Sequence, residues 1–366
     1  MTCNSTFMMA ALLLLLFNSC SQNKKNFYAS ENDRFQYTGR IDRISGDSVV
    51  LIGAASAVTF RFAGDSCFVV LKNGHHGAEY NYASIEVDGN YLGKIKITRD
   101  TFRYSIPVVP GKKSHEVSIF KATEASVGDI LFCGAELETL LEPPVLPEKK
   151  VEFIGNSITC GVGIDWKDYP CGSGEWHDQH NAYWAYGPRV ARALHLQFML
   201  SSVSGIGIYR TWNMDGPSMP EVYENRYLNT DASAAWDFSQ FTPDVVSICL
   251  GTNDFSEGDS IHERKPFEAD VFIQNYISFV EMIYRHYPDV QVVLLNSPVF
   301  DERKNELLMD CLKTIRDHFN LLNVKKPIRI FSFYDIQAHG CDGHPGKEDH
   351  AQMAEQLIPF LKPFFD

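Results

Sequence analysis

The feature that most constrains this chain of 366 residues is a change of pattern across residues 142–150, Glu-Pro-Pro-Val-Leu-Pro-Glu-Lys-Lys. Three prolines in so short a stretch fix φ and exclude helix, so the segment reads as a stiff, extended linker. Before it, over residues 35–141, the sequence carries strand signals only. Runs at 49–52, 57–62, 67–71, 82–87, 91–97, 101–108 and 115–121 alternate or are continuously apolar, with a last one at 130–137. Gly64-Asp65, Asn73-Gly74, Asp88-Gly89-Asn90 and Pro110-Gly111-Lys112 divide them. Short strands parted by such turn formers predict an antiparallel β-sandwich of jelly-roll type.

After residue 150 the pattern is different. Continuous apolar strands at 151–154, 198–203, 244–250, 290–295 and 328–333 alternate with helix-forming stretches at 181–196, 268–286, 305–321 and 351–361. In the stretch 268–286, Phe272, Ile273, Tyr276, Phe279, Val280, Ile283 and Tyr284 fall on one helical face. Residues 151–366 therefore predict a three-layer α/β/α domain, a parallel sheet covered on both faces. In such sheets the chemistry lies outside the carboxyl ends of the strands.

Net charge is -13 and no Lys/Arg cluster is present, so nucleic acid is not an expected partner. Residues 8–17 form an apolar run ahead of Asn18-Ser19-Cys20, too short to span a bilayer as a helix. Residues 1–20 resemble a lipoprotein-type signal peptide, with lipidation at Cys20 as the single expected membrane attachment. An ordinary cleaved signal is the alternative, and either predicts an exported protein, membrane-anchored or periplasmic/extracellular in a bacterium. The 9 cysteines include no C-x-x-C pair. Cys160 and Cys171 bracket one loop and either pair or remain two thiols.

Four strand ends carry polar signatures. The first strand runs into Gly155-Asn156-Ser157-Ile158-Thr159, which would expose a serine hydroxyl beside a backbone N–H. The second runs into Ser204-Gly205-Ile206-Gly207, where backbone can approach a ligand closely. The third leads to Gly251-Thr252-Asn253-Asp254, whose Asn carboxamide can donate to an oxyanion while Asp254 braces the loop. Near the C-terminus, His339-Gly340-Cys341-Asp342-Gly343-His344-Pro345-Gly346 offers an imidazole, the base a serine needs at neutral pH. No other His, Asp and Glu set has ligand spacing, so neither metal nor cofactor is expected.

In this order the four strings resemble the SGNH hydrolase superfamily, also called GDSL esterases, over residues 150–366. The resemblance implies Ser157 as nucleophile and His344 as general base. It implies an oxyanion hole of the Ser157 and Gly205 N–H groups with the Asn253 side chain. Asp342 would orient His344, although only one residue separates them where many members have two. A backbone carbonyl from the neighbouring loop is the other acceptor for the imidazole proton. The short spacing, the preceding sandwich and Gly-Asn-Ser-Ile-Thr together resemble carbohydrate esterase family two, acetyl xylan esterases that join a jelly roll to an SGNH domain. The implied activity is removal of O-acetyl groups from xylan or related plant polysaccharides, with an acetylated carbohydrate as the substrate partner. Trp212, Tyr209 and Trp176 are the candidate sugar-facing aromatics, since such rings stack on pyranose faces. Two other readings compete: an SGNH esterase or lipase acting on small acyl or lipid esters, and a non-catalytic carbohydrate-binding surface protein.

Overall fold

The computed structural model describes residues 25–44, 48–232, 234–259, 261–322 and 326–366, with backbone only at 75 and 76. The apolar N-terminal run and Cys20 lie outside the described residues. No helix among the described residues is long and apolar enough to cross a membrane.

The N-terminal part holds two antiparallel sheets. One has the order Ile41–Arg43, Val49–Leu51, Gly128–Leu137, Cys67–Gly77, Phe102–Ile106, with Asn26–Ala29 also beside Gly128–Leu137. The other runs Thr139–Leu140, Ala57–Ala63, His115–Lys121, Tyr80–Val87, Asn90–Thr98, with Gln36–Thr38 beside Ala57–Ala63. The period of two in Ala57–Ala63 buries Val58, Phe60 and Phe62 while Thr59 and Arg61 stay partly exposed. Those buried residues share one core with Val69, Leu71, Ile130 and Phe132 of the facing sheet. Asn73-Gly74, expected as a turn, lies inside Cys67–Gly77 instead. The buried Asn73 carboxamide donates to the Ala78 carbonyl at 2.8 Å and accepts from Asn81 at 2.7 Å, which satisfies it within the strand pair.

The C-terminal part is built on a five-stranded parallel sheet, ordered Gln197–Ser202, Lys150–Gly155, Val245–Cys249, Gln291–Leu295, Arg329–Phe331. Alternate residues feed opposite faces. Ile154, Val246, Ile248, Val292 and Leu294 pack with Phe272, Phe279, Leu308 and Leu312 of helices Ala269–His286 and Glu302–Leu321. Val151, Phe153, Val245, Val293 and Leu295 pack with Val190, Met353 and Leu357 of helices Tyr186–Leu194 and Lys347–Leu361. The first strand in sequence lies between the second and the third, which makes the crevice beyond its carboxyl end the switch point of the sheet.

The helix expected over 181–196 is divided, with a 3-10 turn at Ala182–Trp184 and α-helix only from Tyr186. Contacts to the sandwich account for this: Asn181 Oδ1 accepts from Ser84 at 2.9 Å, and Tyr183 donates to Glu86 at 2.6 Å. Helix Glu302–Leu321 begins earlier than its apolar spacing suggests because the Asp301 carboxylate accepts from the Lys304 N–H at 2.8 Å.

A buried ionic knot ties the two parts. Arg40, with no exposed surface, donates from Nε to Ser201 Oγ at 3.1 Å and from Nη1 and Nη2 to the carbonyls of Asn225 at 2.7 Å and Tyr223 at 2.9 Å. Glu152, buried in the first parallel strand, accepts from Ser201 at 2.6 Å and from the Tyr223 hydroxyl at 2.9 Å. Burial lowers the Arg40 pKa and raises that of Glu152, and each charge opposes the shift of the other. Arg40→Met strands the Glu152 charge and should cost about 3–5 kcal/mol in urea unfolding. A midpoint unchanged from wild type would show that the knot contributes nothing.

Candidate active site

Ser157 stands where the first parallel strand ends. Asn156 leaves the strand in extended conformation and its Oδ1 accepts from the Ile158 N–H at 3.1 Å, capping the short helix Ser157–Cys160. Gly155 is forced by close approach, since a Cβ there would lie 2.0 Å from Thr159 Oγ1. Ser157 therefore occupies the first helical position, at the mouth of the switch-point crevice.

His344 arrives from the other end of the chain. Its Nε2 lies 2.8 Å from Ser157 Oγ, and its Nδ1 lies 3.0 Å from the Cys341 carbonyl oxygen. A carbonyl only accepts, so Nδ1 carries the proton and Nε2 presents its lone pair to the hydroxyl. The tautomer suited to general-base chemistry is thus set by a backbone group. Asp342 is exposed at the cleft rim with φ of 54°, and its carboxylate makes no hydrogen bond to the His344 ring among the described residues. The orienting acceptor is the Cys341 carbonyl, which corrects the expectation for Asp342. The spacing is the reason: the left-handed turn that brings His344 to Ser157 carries the Asp342 side chain outward.

Cys341 is itself anchored. It forms a disulfide with Cys171, at a sequence separation of 170, and Cys160 is a free, buried thiol. The pairing of Cys160 with Cys171 is therefore excluded, since Cys160 lies in the helix behind Ser157 while Cys171 reaches the histidine loop.

The loops of the other two signatures are locked to each other. Asp254 accepts from the N–H groups of Ile208 and Tyr209, both at 2.9 Å, so it braces the loop as expected. Asn253 is buried and donates from Nδ2 to the Ile206 carbonyl at 2.8 Å, leaving its second amide hydrogen for a ligand. Ser157, Gly205 and Asn253 all line one cleft of about 470 Å³. Among the described residues, neither the Ser157 nor the Gly205 N–H has an acceptor within the chain.

Trp212 and Trp176 stand on this cleft, 48% and 47% exposed. Tyr209 does not line it. Its ring packs against Phe267 and Phe272, and its hydroxyl accepts from the Glu268 N–H at 3.2 Å, so its expected sugar-facing role is corrected to packing. Gln179, Phe255, Val299 and Phe300 also line the cleft, without a local string that could have marked them.

This arrangement can move a proton from Ser157 to His344 and hold an oxyanion beside three donors. Burial lowers the His344 pKa, against the raising effects of the Cys341 carbonyl and of the Asp342 and Glu124 charges. The imidazole is a base only when neutral, so the acid limb of kcat/KM should fall below about pH 6.5, the ordinary histidine value. An acid limb above that value would contradict the buried setting. Asp342→Ala and Asp342→Asn should each lose less than about tenfold in kcat, whereas His344→Ala should be nearly dead. Losses of about 10²-fold or more in both Asp342 variants would restore the carboxylate as orienter.

Known proteins match both parts. Residues 37–144 match the family described as Carbohydrate esterase 2 N-terminal, and residues 153–340 match the GDSL-like Lipase/Acylhydrolase family. The chain is 27% identical to an acetylxylan esterase / glucomannan deacetylase of Cellvibrio japonicus (strain Ueda107), over 85% of this chain and 86% of that protein. It superposes with TM-score 0.80 and 27% identity on a family two carbohydrate esterase from Clostridium thermocellum in complex with cellohexaose, covering 90% of this chain and 99% of that one. A family two carbohydrate esterase from Cellvibrio japonicus, 24% identical, shares the fold with TM-score 0.81 over 94% of this chain and 98% of that one. The chain is a carboxylic ester hydrolase that belongs to the GDSL-like lipase/acylhydrolase family and carries a carbohydrate esterase 2 N-terminal region.

Proposed function

We propose that the protein is an exported serine esterase that removes O-acetyl groups from xylan or related plant polysaccharides through an acyl-enzyme at Ser157. The observation that carries the reading is the Ser157–His344–Cys341 carbonyl relay, opening into a cleft between Trp176 and Trp212. The names of the similar proteins, an acetylxylan esterase / glucomannan deacetylase and an esterase bound to cellohexaose, support a carbohydrate substrate. In this reading residues 35–141 are a jelly-roll sandwich, 142–150 the linker and 151–366 the catalytic domain, held at a membrane by lipid on Cys20.

The steps follow from the geometry. His344 Nε2 takes the Ser157 proton as Oγ attacks the acetyl carbonyl. The tetrahedral oxyanion forms among the Ser157 and Gly205 N–H groups and the Asn253 carboxamide, donors that need no reorganisation. On collapse the imidazolium gives its proton to the departing sugar oxygen, and the acetyl group stays on Ser157. Water then enters, His344 takes a proton from it as its oxygen attacks the acyl carbon, and on collapse the bond to Ser157 Oγ breaks, the imidazolium returns the proton to Oγ, and acetic acid leaves and ionises to acetate. The imidazolium is stabilised by a neutral carbonyl, a weaker partner than the carboxylate of a full triad.

A second reading, esterase action on longer acyl or lipid esters, draws on the apolar wall of Phe255, Val299 and Phe300. Acetate release from acetylated xylan and glucomannan, set beside 4-nitrophenyl acetate and 4-nitrophenyl decanoate, separates the two. The proposal expects release from polymer and preference for the acetyl ester; preference for decanoate with no release from polymer would favour the lipid reading. Ser157→Ala should keep its circular dichroism spectrum and lose all turnover, and retention of near wild-type turnover would remove Ser157 as nucleophile.

A further inference from the structure

We propose that Glu124, a residue of the sandwich, is a positioning residue for the oxyanion loop of the parallel-sheet domain. Glu124 has no exposed surface, and nothing in its sequence surroundings marks it as part of a site. Its Oε2 accepts from both the N–H and the hydroxyl of Ser204, each at 2.7 Å, and its Oε1 accepts from Ser126. Hydrogen bonds to a carboxylate are about twice as strong as neutral ones, and here one carboxylate oxygen takes two of them from a single loop residue.

The segment that presents this carboxylate is rigid. Buried Lys121 donates from Nζ to the carbonyls of Glu124 at 2.6 Å and Thr123 at 3.1 Å, and Thr123 bonds to buried Asn81. On the other side, the Gly205 carbonyl accepts from the Trp212 N–H at 2.8 Å. Gly205 has φ of +75° and, as glycine, reaches either sign of φ with little cost, so its own backbone does not fix where its N–H points. The Glu124 clamp before it and the Trp212 bond after it supply that constraint at a glycine that lines the cleft and whose N–H has no acceptor within the chain among the described residues.

The same carboxylate contributes charge. Glu124 acts on His344 in the direction that favours the imidazolium, as does exposed Asp342; among the described residues, the other titratable groups that act on one or the other are buried Lys121 on the Glu124 segment, the buried Cys160 thiol in the helix that begins at Ser157, and buried His180 and His350. With a neutral carbonyl on Nδ1, a buried anion behind the loop supplies part of the field that a triad carboxylate would provide. The sandwich then acts on the reaction without lining the cleft.

This inference rests on the esterase reading, so the test uses full-length enzyme on 4-nitrophenyl acetate with wild type and Ser157→Ala alongside. Glu124→Gln should lower kcat on the order of 10²-fold, the loss expected for a catalytic group displaced by about 1 Å, with KM within about twofold of wild type. Its acid limb should move to lower pH, because removing the anion makes the imidazolium less stable. Ser204→Ala leaves the carboxylate its backbone donor and covers the case in which Glu124→Gln does not fold; it should lose about ten-fold or more in kcat, the rate equivalent of one charge-assisted hydrogen bond. Wild type active with Glu124→Gln folded and unchanged in kcat, or changed in KM alone, overturns the inference and leaves the esterase reading intact. Unchanged kcat in Ser204→Ala, where Glu124→Gln does not fold, overturns it as well. Wild type without turnover removes the esterase reading and this inference together.

Discussion

The hydrogen bond from His344 Nδ1 to the Cys341 carbonyl decides which imidazole nitrogen is basic, and much of the surrounding structure serves to keep that carbonyl in place. A main-chain oxygen cannot be re-aimed by a rotamer change, so its direction depends on the turn that carries it. Gly340 donates to the His344 carbonyl at 2.8 Å and His344 donates back to Cys341 at 3.1 Å, closing the turn on itself. A Cβ on Gly163, in the loop after Ser157, would lie 3.1 Å from the His344 Cβ and 3.2 Å from the Cys341 nitrogen, so the loops that carry Ser157 and His344 fit closely against each other. A carboxylate orienter would tolerate more movement, because either oxygen and several rotamers can accept.

The seam between sandwich and parallel sheet joins an aromatic patch, in which Phe120 and Tyr91 pack with Tyr183 and Trp184, to buried charges that find partners across it. Lys94 forms a buried ion pair with Asp165 at 2.8 Å and donates to the carbonyls of Asp178 at 2.7 Å and His180 at 2.9 Å. Tyr80 donates to Asp178 at 2.8 Å. These sandwich residues grip the long loop that follows Ser157 and carries Trp176 and Cys171. Taking such charges from water costs several kcal/mol per ion, and a partner displaced by an ångström would not offset it. The seam therefore favours one docking arrangement over near neighbours, and the cleft inherits that definition.

Much of this was legible in the sequence because it is local. Period two in residues 57–63 and the one-sided apolar face of 268–286 report burial directly. The four strings at strand ends sit where a parallel sheet exposes its chemistry, so Ser157, Gly205, Asn253 and His344 meet in one cleft although Ser157 and His344 are 187 residues apart. What escaped was set by tertiary geometry. Asn73-Gly74 has turn chemistry, but long-range pairing and a buried amide network hold it in a strand. Tyr209 follows Gly205 more closely in sequence than Trp212 does, and only packing separates their fates. The Cys171 partner and the contact of Glu124 with Ser204 depend on two segments meeting in space, which spacing along the chain does not encode.

The Cys171–Cys341 bond has a consequence for the chain before it is folded. In the loop-entropy account, closing a loop of 170 residues removes disorder from the unfolded chain worth about 5 kcal/mol. Four of the five parallel strands lie inside that loop, so the reduced chain must find their order with no covalent limit on its ends. In the folded chain the two sulfurs meet across those strands. Once joined, they leave the oxidised chain far fewer unfolded arrangements to search, and a reductant would act on the protein chiefly by restoring that lost disorder.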